Sequence, residues 1–188
     1  MLANSNLQTI NGFASVSFIG IELIVEDNAS LLEWGNAFQF TENVGAITIK
    51  HNALTSIKGF ENVTSITFMT ISENENLTTI TGFNSLETVN NGIKILENYN
   101  LDSIIGFSTL NSISKDFRIF NTKIQNLDFL TSISNIGELI LITDNKELSD
   151  FCGLNLLIID NGYSGSYDIQ RNAYNPTQQD ILDGNCSQ

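Results

Sequence analysis

Basic residues are scarce in this chain. Lys and Arg number 8 against 21 Asp and Glu, a formal net charge of −13 over 188 residues. Phosphate binding needs clustered cations, so the deficit argues against DNA or RNA as a partner. It argues equally against an anionic membrane surface. Long hydrophobic runs are missing too: none reaches the roughly 18 residues of a membrane span. The single histidine, His51, is the only base a Ser-His-Asp triad could use, and its place beside Asn52 in a turn suits a solvated or ladder-substituting role better than catalysis. The two cysteines, Cys152 and Cys186, lack C-x-x-C spacing and stand far from His51, so no metal site is expected. No P-loop, G-x-G-x-x-G, H-E-x-x-H or EF-hand pattern occurs, and no cofactor is expected. The opening Met1-Leu-Ala-Asn-Ser-Asn has neither the basic end nor the apolar segment of a signal peptide.

What is present is a repeat. The segments Leu54-T-S-I-K-G-F-E-N-V-T-S-I, Leu77-T-T-I-T-G-F-N-S-L-E-T-V and Leu101-D-S-I-I-G-F-S-T-L-N-S-I align without gaps. The leading apolar residues Leu7, Leu31, Leu54, Leu77, Leu101, Ile124 and Leu148 are spaced by 24, 23, 23, 24, 23 and 24. Within each unit apolar residues recur at every third position. They form the columns Ile10/Trp34/Ile57/Ile80/Ile104/Leu127/Phe151, Phe13/Phe60/Phe83/Phe107/Leu130, Val16/Phe40/Val63/Leu86/Leu110/Ile133 and Ile19/Ile66/Val89/Ile113/Ile136. A step of three on a helix would let this stripe slip by about 60° each time, so a helix is excluded. The rest of each unit alternates. Leu23/Val25, Ile47/Ile49, Met69/Ile71, Ile93/Ile95, Phe117/Ile119 and Ile140/Ile142 are pairs two apart, which is strand periodicity with both members inward.

Two further columns bear on the backbone. Gly12, Gly59, Gly82, Gly106 and Gly153 stand five residues after the leading position, which suggests a left-handed or crowded bend before the inward Phe. Asn28, Asn74, Asn98, Asn121 and Asn145, with Asn4, stand three residues before it, and Asn52 is displaced by one. An amide both donates and accepts, so this column predicts a stacked ladder between coils. A unit of this size cannot bury its apolar face alone, but a stack can. The chain is therefore expected to be one all-β domain over 1–188, a right-handed parallel β-solenoid. Its seven coils start near 7, 31, 54, 77, 101, 124 and 148, with a C-terminal cap over 160–188. At about 4.8 Å per coil the rod would be about 35 Å long.

The pattern L-x-x-I-x-G-F-x-x-L-x-x-I, then a strand, then Asn, resembles the receptor L domain, a relative of leucine-rich repeats. The closing run Phe151-C-G-L and Asn172-A-Y-N-P-T-Q-Q-D-I-L-D-G-N-C resembles the end of receptor-L-domain-like surface proteins of environmental bacteria. The resemblance implies an extracellular, non-enzymatic binding or adhesion module, secreted or at the cell surface. The second unit departs from the pattern: Leu31-L-E-W-G-N-A-F-Q-F has Gly35 one place early, and a bulge is expected there.

At the C-terminus, Tyr167 and Ile169 suit a last strand, and Thr177 with Asp180 suits a capping box opening a short helix that ends near Gly184. Almost no helix is expected before Pro176. Asn4 already stands in the ladder column, so part of a preceding coil is expected before Met1 in a longer secreted protein. Cys152 lies in the last coil and Cys186 after the cap helix. A disulfide between them is expected, with two free thiols as the alternative, and it would imply an oxidising compartment.

Five functional classes compete. Lys94 and Arg118 beside Asp116 are the nearest set to a polysaccharide lyase. Outward pairs such as Thr55/Ser56 and Thr78/Thr79 evoke an ice-binding face, but Asp102 and Glu87 interrupt the columns. Asp27-Asn28 and Asp144-Asn145 are turn pairs that could hold calcium weakly, though turn chemistry accounts for them. A purely structural stalk is the fourth. The fifth is a non-enzymatic binding module for a protein or glycan. Its face would carry Lys94, Leu96, Arg118, Phe120, Leu139 and Leu141 on the outward side of the main strands, where a second copy could also dock.

Overall fold

The computed structural model describes residues 1–188. Seven strands lie in one parallel sheet: β1 (Leu23–Glu26), β2 (Ala46–Lys50), β3 (Phe68–Ser72), β4 (Ile93–Leu96), β5 (Asp116–Phe120), β6 (Leu139–Thr143) and β7 (Ser166–Gln170). They follow one another in chain order across the sheet, so each is one turn of a parallel β-solenoid. The return paths add small parallel sheets of two-residue strands, for example Ser65–Ile66, Thr88–Val89, Ser112–Ile113 and Asn135–Ile136. Both members of every strand pair from Leu23/Val25 to Ile140/Ile142 are buried, in a single core that runs the length of the stack.

The aromatic column is a continuous file of rings. Phe38, Phe60, Phe83 and Phe107 stack nearly parallel, with centroids 5.1, 5.0 and 5.3 Å apart. Phe13 and Phe129 extend it at either end. In the second coil, Phe38 takes the ring position, Thr41 takes the inward place expected of Phe40, and Phe40 is turned out to solvent. One extra residue between Trp34 and Phe38, in the bend where Gly35 has φ of 52°, moves the rest of the segment along by one. The glycine column is there for close approach. A Cβ on Gly82 would lie 2.1 Å from the Gly59 carbonyl oxygen, and one on Gly106 would lie 1.9 Å from that of Gly82. The following Phe is left-handed, with φ of 65°, 71° and 70° at Phe60, Phe83 and Phe107, and in the third coil Gly59 is too, at 92°.

Asn side chains tie the coils together. Asn74 Nδ2 donates to the carbonyls of Ser72 in its own coil and Ile49 in the coil before, at 3.0 and 3.1 Å. Its Oδ1 accepts from the backbone N–H of Asn52, and its own N–H donates to Asn98 Oδ1, both at 3.1 Å. Asn28, Asn52, Asn74 and Asn98 form one such run, and Thr122, Asn145, Asn172 and Asn175 form a second. Asn121 is not a rung, contrary to the offset rule. Thr122 holds that place and donates its hydroxyl to Asn145 Oδ1 at 2.7 Å. The cause is a turn one residue shorter. Where an Asn-x-x-Leu turn precedes the leading residue, its N–H bonds back to the Asn carbonyl, as Leu31, Leu77, Leu101 and Leu148 do. The third and sixth coils omit one turn residue, so their rungs, Asn52 and Thr122, stand two before the leading residue. Asn121 instead occupies the preceding left-handed position, with φ of 55°, a conformation that Asn tolerates.

The C-terminal end is closed. β7 pairs with β6, Tyr167 against Ile140 and Ile169 against Ile142. Two short helices follow the pattern less closely: α1 (Asn155–Ile159) and α2 (Gln178–Leu182). α1 lies before Pro176, where almost no helix is expected from the sequence. There Leu154, Leu157 and Ile158 bury themselves at helical spacing. α2 opens on a capping box: Thr177 Oγ1 accepts from the Asp180 N–H at 3.1 Å, and Asp180 Oδ2 accepts from the Thr177 N–H at 2.8 Å. The hydrogen bonds from Thr177 hold the Asp180 carboxyl below its ordinary value. Cys152 and Cys186 are disulfide-bonded across 34 residues of chain.

Three outcomes follow for stability. Asn74→Ala strands buried carbonyls and an N–H, and should cost about 3 kcal/mol or more. Thr122→Asn should rejoin the two ladder runs and stabilise by about 1 kcal/mol; denaturant titrations of both variants check this. Reducing the disulfide should cost about 4 kcal/mol on the chain-entropy model, with hydrogen exchange rising first in α2.

Candidate functional site

The outward side chains of β1–β7 form straight columns because the strands pair without stagger. One column reads Ile24, Thr48, Thr70, Lys94, Arg118, Leu141 and Asp168. Beside it run Glu26, Lys50, Ser72, Leu96, Phe120, Thr143 and Gln170. Lys94 and Arg118 are therefore direct neighbours, as are Leu96 and Phe120, while Leu141 adjoins Arg118 and Leu139 adjoins Asp116. Lys94 is exposed, and the other five residues of the set are half-buried. Phe117 and Ile119 fill the core while Phe120 faces out, which fixes the strand register.

Arg118 is held by its own strand: Nε and Nη2 donate to Asp116 Oδ2 at 3.1 and 2.5 Å. Its charge is thus matched by Asp116, and Lys94 forms no ion pair. None of the six lines the depressions between β7 and residues 175–179, at the second-coil bulge or at the first coil. The most exposed apolar side chains also lie elsewhere. Ile21, 87% exposed, and Phe18 belong to the first coil, Ile105 to the fifth and Ile159 to α1.

A second cluster borders the face. At the end of each main strand one residue adopts the left-handed conformation: Asp27, His51, Glu73, Glu97, Asn121, Asp144 and Arg171. This conformation turns the chain off the sheet and projects the side chains in a file. His51 sits between two carboxylates, with Nδ1 3.1 Å from Asp27 Oδ1 and Nε2 against Glu73 Oε2. Glu26 joins them, with one ligand atom each of Glu26, Asp27 and His51 within 4.8 Å of one another. Lys50 Nζ lies 3.2 Å from Glu73 Oε1. Burial pushes the Glu73 carboxyl up, but hydrogen bonds from Lys50 and His51 outweigh it, and the group ends below its ordinary value. His51 does not substitute in the ladder, since Asn52 holds that rung. The cluster is not visible along the linear sequence. It emerges when units are aligned on the left-handed column, which puts Asp27 and His51 24 residues apart on adjacent coils.

At the other end of this file, Arg171 Nε and Nη2 bond Asp144 Oδ1 and Oδ2 at 2.9 and 2.8 Å. This fork holds the Asp144 carboxyl down at about 2. Burial pushes the Tyr167 phenol up, and it donates to the Pro176 carbonyl at 3.2 Å.

No protein-family model matches the chain, and no curated protein or solved structure is detectably similar to it. No helix is long and apolar enough to cross a membrane.

The Asp144 carboxyl is lowered on folding from its ordinary 3.8 to about 2. Its stabilising contribution is therefore complete above the unfolded value and is lost as pH falls through the folded one. Unfolding titrations between pH 4 and 2 should show the parent losing stability, and Asp144→Asn should lose less over the same window.

Proposed function

We propose that this protein is an extracellular, non-enzymatic binding and adhesion module of the receptor L-domain-like, leucine-rich-repeat-related type. It engages a protein or glycan partner through the outward face of β1–β7. The observation that carries this proposal is the cluster of Lys94, Leu96, Arg118, Phe120, Leu139 and Leu141 on adjacent strands of one sheet. Two of the eight cations of a chain with net charge −13 fall at its centre. An apolar sheet face that carries a free ammonium group, beside a guanidinium paired within its own strand, suits an acidic partner, such as a uronate-bearing glycan or a carboxylate-rich protein. The disulfide supports an oxidising, extracellular setting. The acid and base set on this face, Asp116 and Arg118, is bonded to itself within β5, which favours recognition over turnover.

The test is a glycan and protein array probed with the full chain, followed by affinity measurement on any hit. Arg118→Glu and Phe120→Ser should each weaken binding by about tenfold or more while leaving the melting temperature within a few degrees of the parent. Absence of any partner, with a monodisperse monomer in light scattering, would favour the stalk instead. Turnover of an acidic polysaccharide that is lost on Lys94→Ala would overturn the non-enzymatic assignment.

A further inference from the structure

We propose that Glu26, Asp27 and His51 form a site for one first-row divalent transition ion, with Zn2+ as its representative. This is independent of what the strand face binds. Both ring nitrogens of His51 face carboxylate oxygens, Nδ1 towards Asp27 and Nε2 towards Glu73. A neutral imidazole has only one N–H. With that N–H donated to Glu73, the Nδ1 lone pair points at the Asp27 carboxylate, and lone pair meets lone pair unless a cation lies between them.

The surroundings are arranged as for a metal. A metal-bound histidine commonly donates its second N–H to a carboxylate, which fixes the tautomer and the ring orientation. Glu73 stands in that position and is itself anchored by Lys50 at 3.2 Å. With the Lys50 charge matched to Glu73, Glu26 and Asp27 contribute two uncompensated negative charges, equal to the charge of a divalent ion. Their candidate ligand atoms and that of His51 lie within 4.8 Å of one another. Small rotations of these accessible side chains close that spacing onto a common ion at about 2.0–2.2 Å from each ligand. The imidazole nitrogen selects against calcium and magnesium, which prefer all-oxygen sites, and in favour of zinc, nickel or cobalt. Only three protein ligands are supplied, so the remaining positions are open to water or to a partner's donor group. The backbone that carries the ligands is fixed: Glu26 pairs with Lys50 across β1 and β2, and Asp27 and His51 hold the same left-handed conformation one coil apart.

The experiment titrates ZnCl2 into the chelator-stripped full chain by isothermal calorimetry at neutral pH, with CaCl2 in parallel. His51→Asn and Asp27→Asn are the test variants, because Asn is the residue that this column already carries at Asn121, so each should keep its fold by circular dichroism. The expected result is one saturable Zn2+ site, with affinity at least about tenfold lower in each variant and a Zn2+-dependent rise in melting temperature seen only in the parent. Absence of saturable binding at submillimolar Zn2+ would overturn the proposal, because a proton alone would then be the bridging cation. Equal affinity in His51→Asn, or Ca2+ binding as tight as Zn2+, would overturn it as well.

Discussion

A carboxamide at the foot of six of the seven main strands holds this fold together. Asn74 reaches three consecutive coils: it donates to the coil before and to its own, accepts from the coil before, and its backbone N–H is received by the coil after. Only Asn and Gln donate two N–H bonds and accept through a carbonyl oxygen from one rigid plane, and Asn does so on the shorter stem, with fewer rotors to fix. Because the bonds run along the rod axis, the Asn column fixes the vertical spacing and the rotational alignment of neighbouring coils together. The straight outward columns of the sheet, and with them the adjacency of Lys94 to Arg118, depend on that alignment.

The same register places the second cluster. The residue before each rung is left-handed in coil after coil, from Asp27 to Arg171. Polar and charged side chains fill the column, because a left-handed backbone is least costly for Asn and Asp among residues with a Cβ and because the column faces water. Stacking at coil spacing then brings charges of successive units within contact range. Where a donor meets an acceptor, as in His51–Glu73 and Asp144–Arg171, neighbours in the file bond.

Much of this was legible in the sequence. The period, the inward strand pairs, the capping box at Thr177 and Asp180 and the register that turns Phe120 outward all rest on residue spacing that survives folding unchanged. What was not legible depends on one-residue changes in loop length. Counting back from the leading residue assigns Asn121 to the ladder, and only the shortened turn shows that Thr122 holds the rung. The early Gly35 likewise hides Phe38 from the ring column and turns Phe40 outward. α1 escapes because Leu154, Leu157 and Ile158 read as a continuation of an apolar run until the chain closes over the last coil. The grouping of Glu26, Asp27 and His51 escapes because its members meet only across coils.

The two ends of the rod are held unequally. The last coil is clamped by the Cys152–Cys186 bond, by α2 and by the Tyr167 hydroxyl on Pro176. In the first coil Leu7, Val16 and Ile19 are only half-buried, and Phe18 and Ile21 stand in solvent. Contacts in a solenoid pass only between neighbours, so the clamp acts first on the coils beside it. A coil that detaches exposes the next ring of the Phe file, and the covalently closed last coil serves as the template on which detached coils rewind.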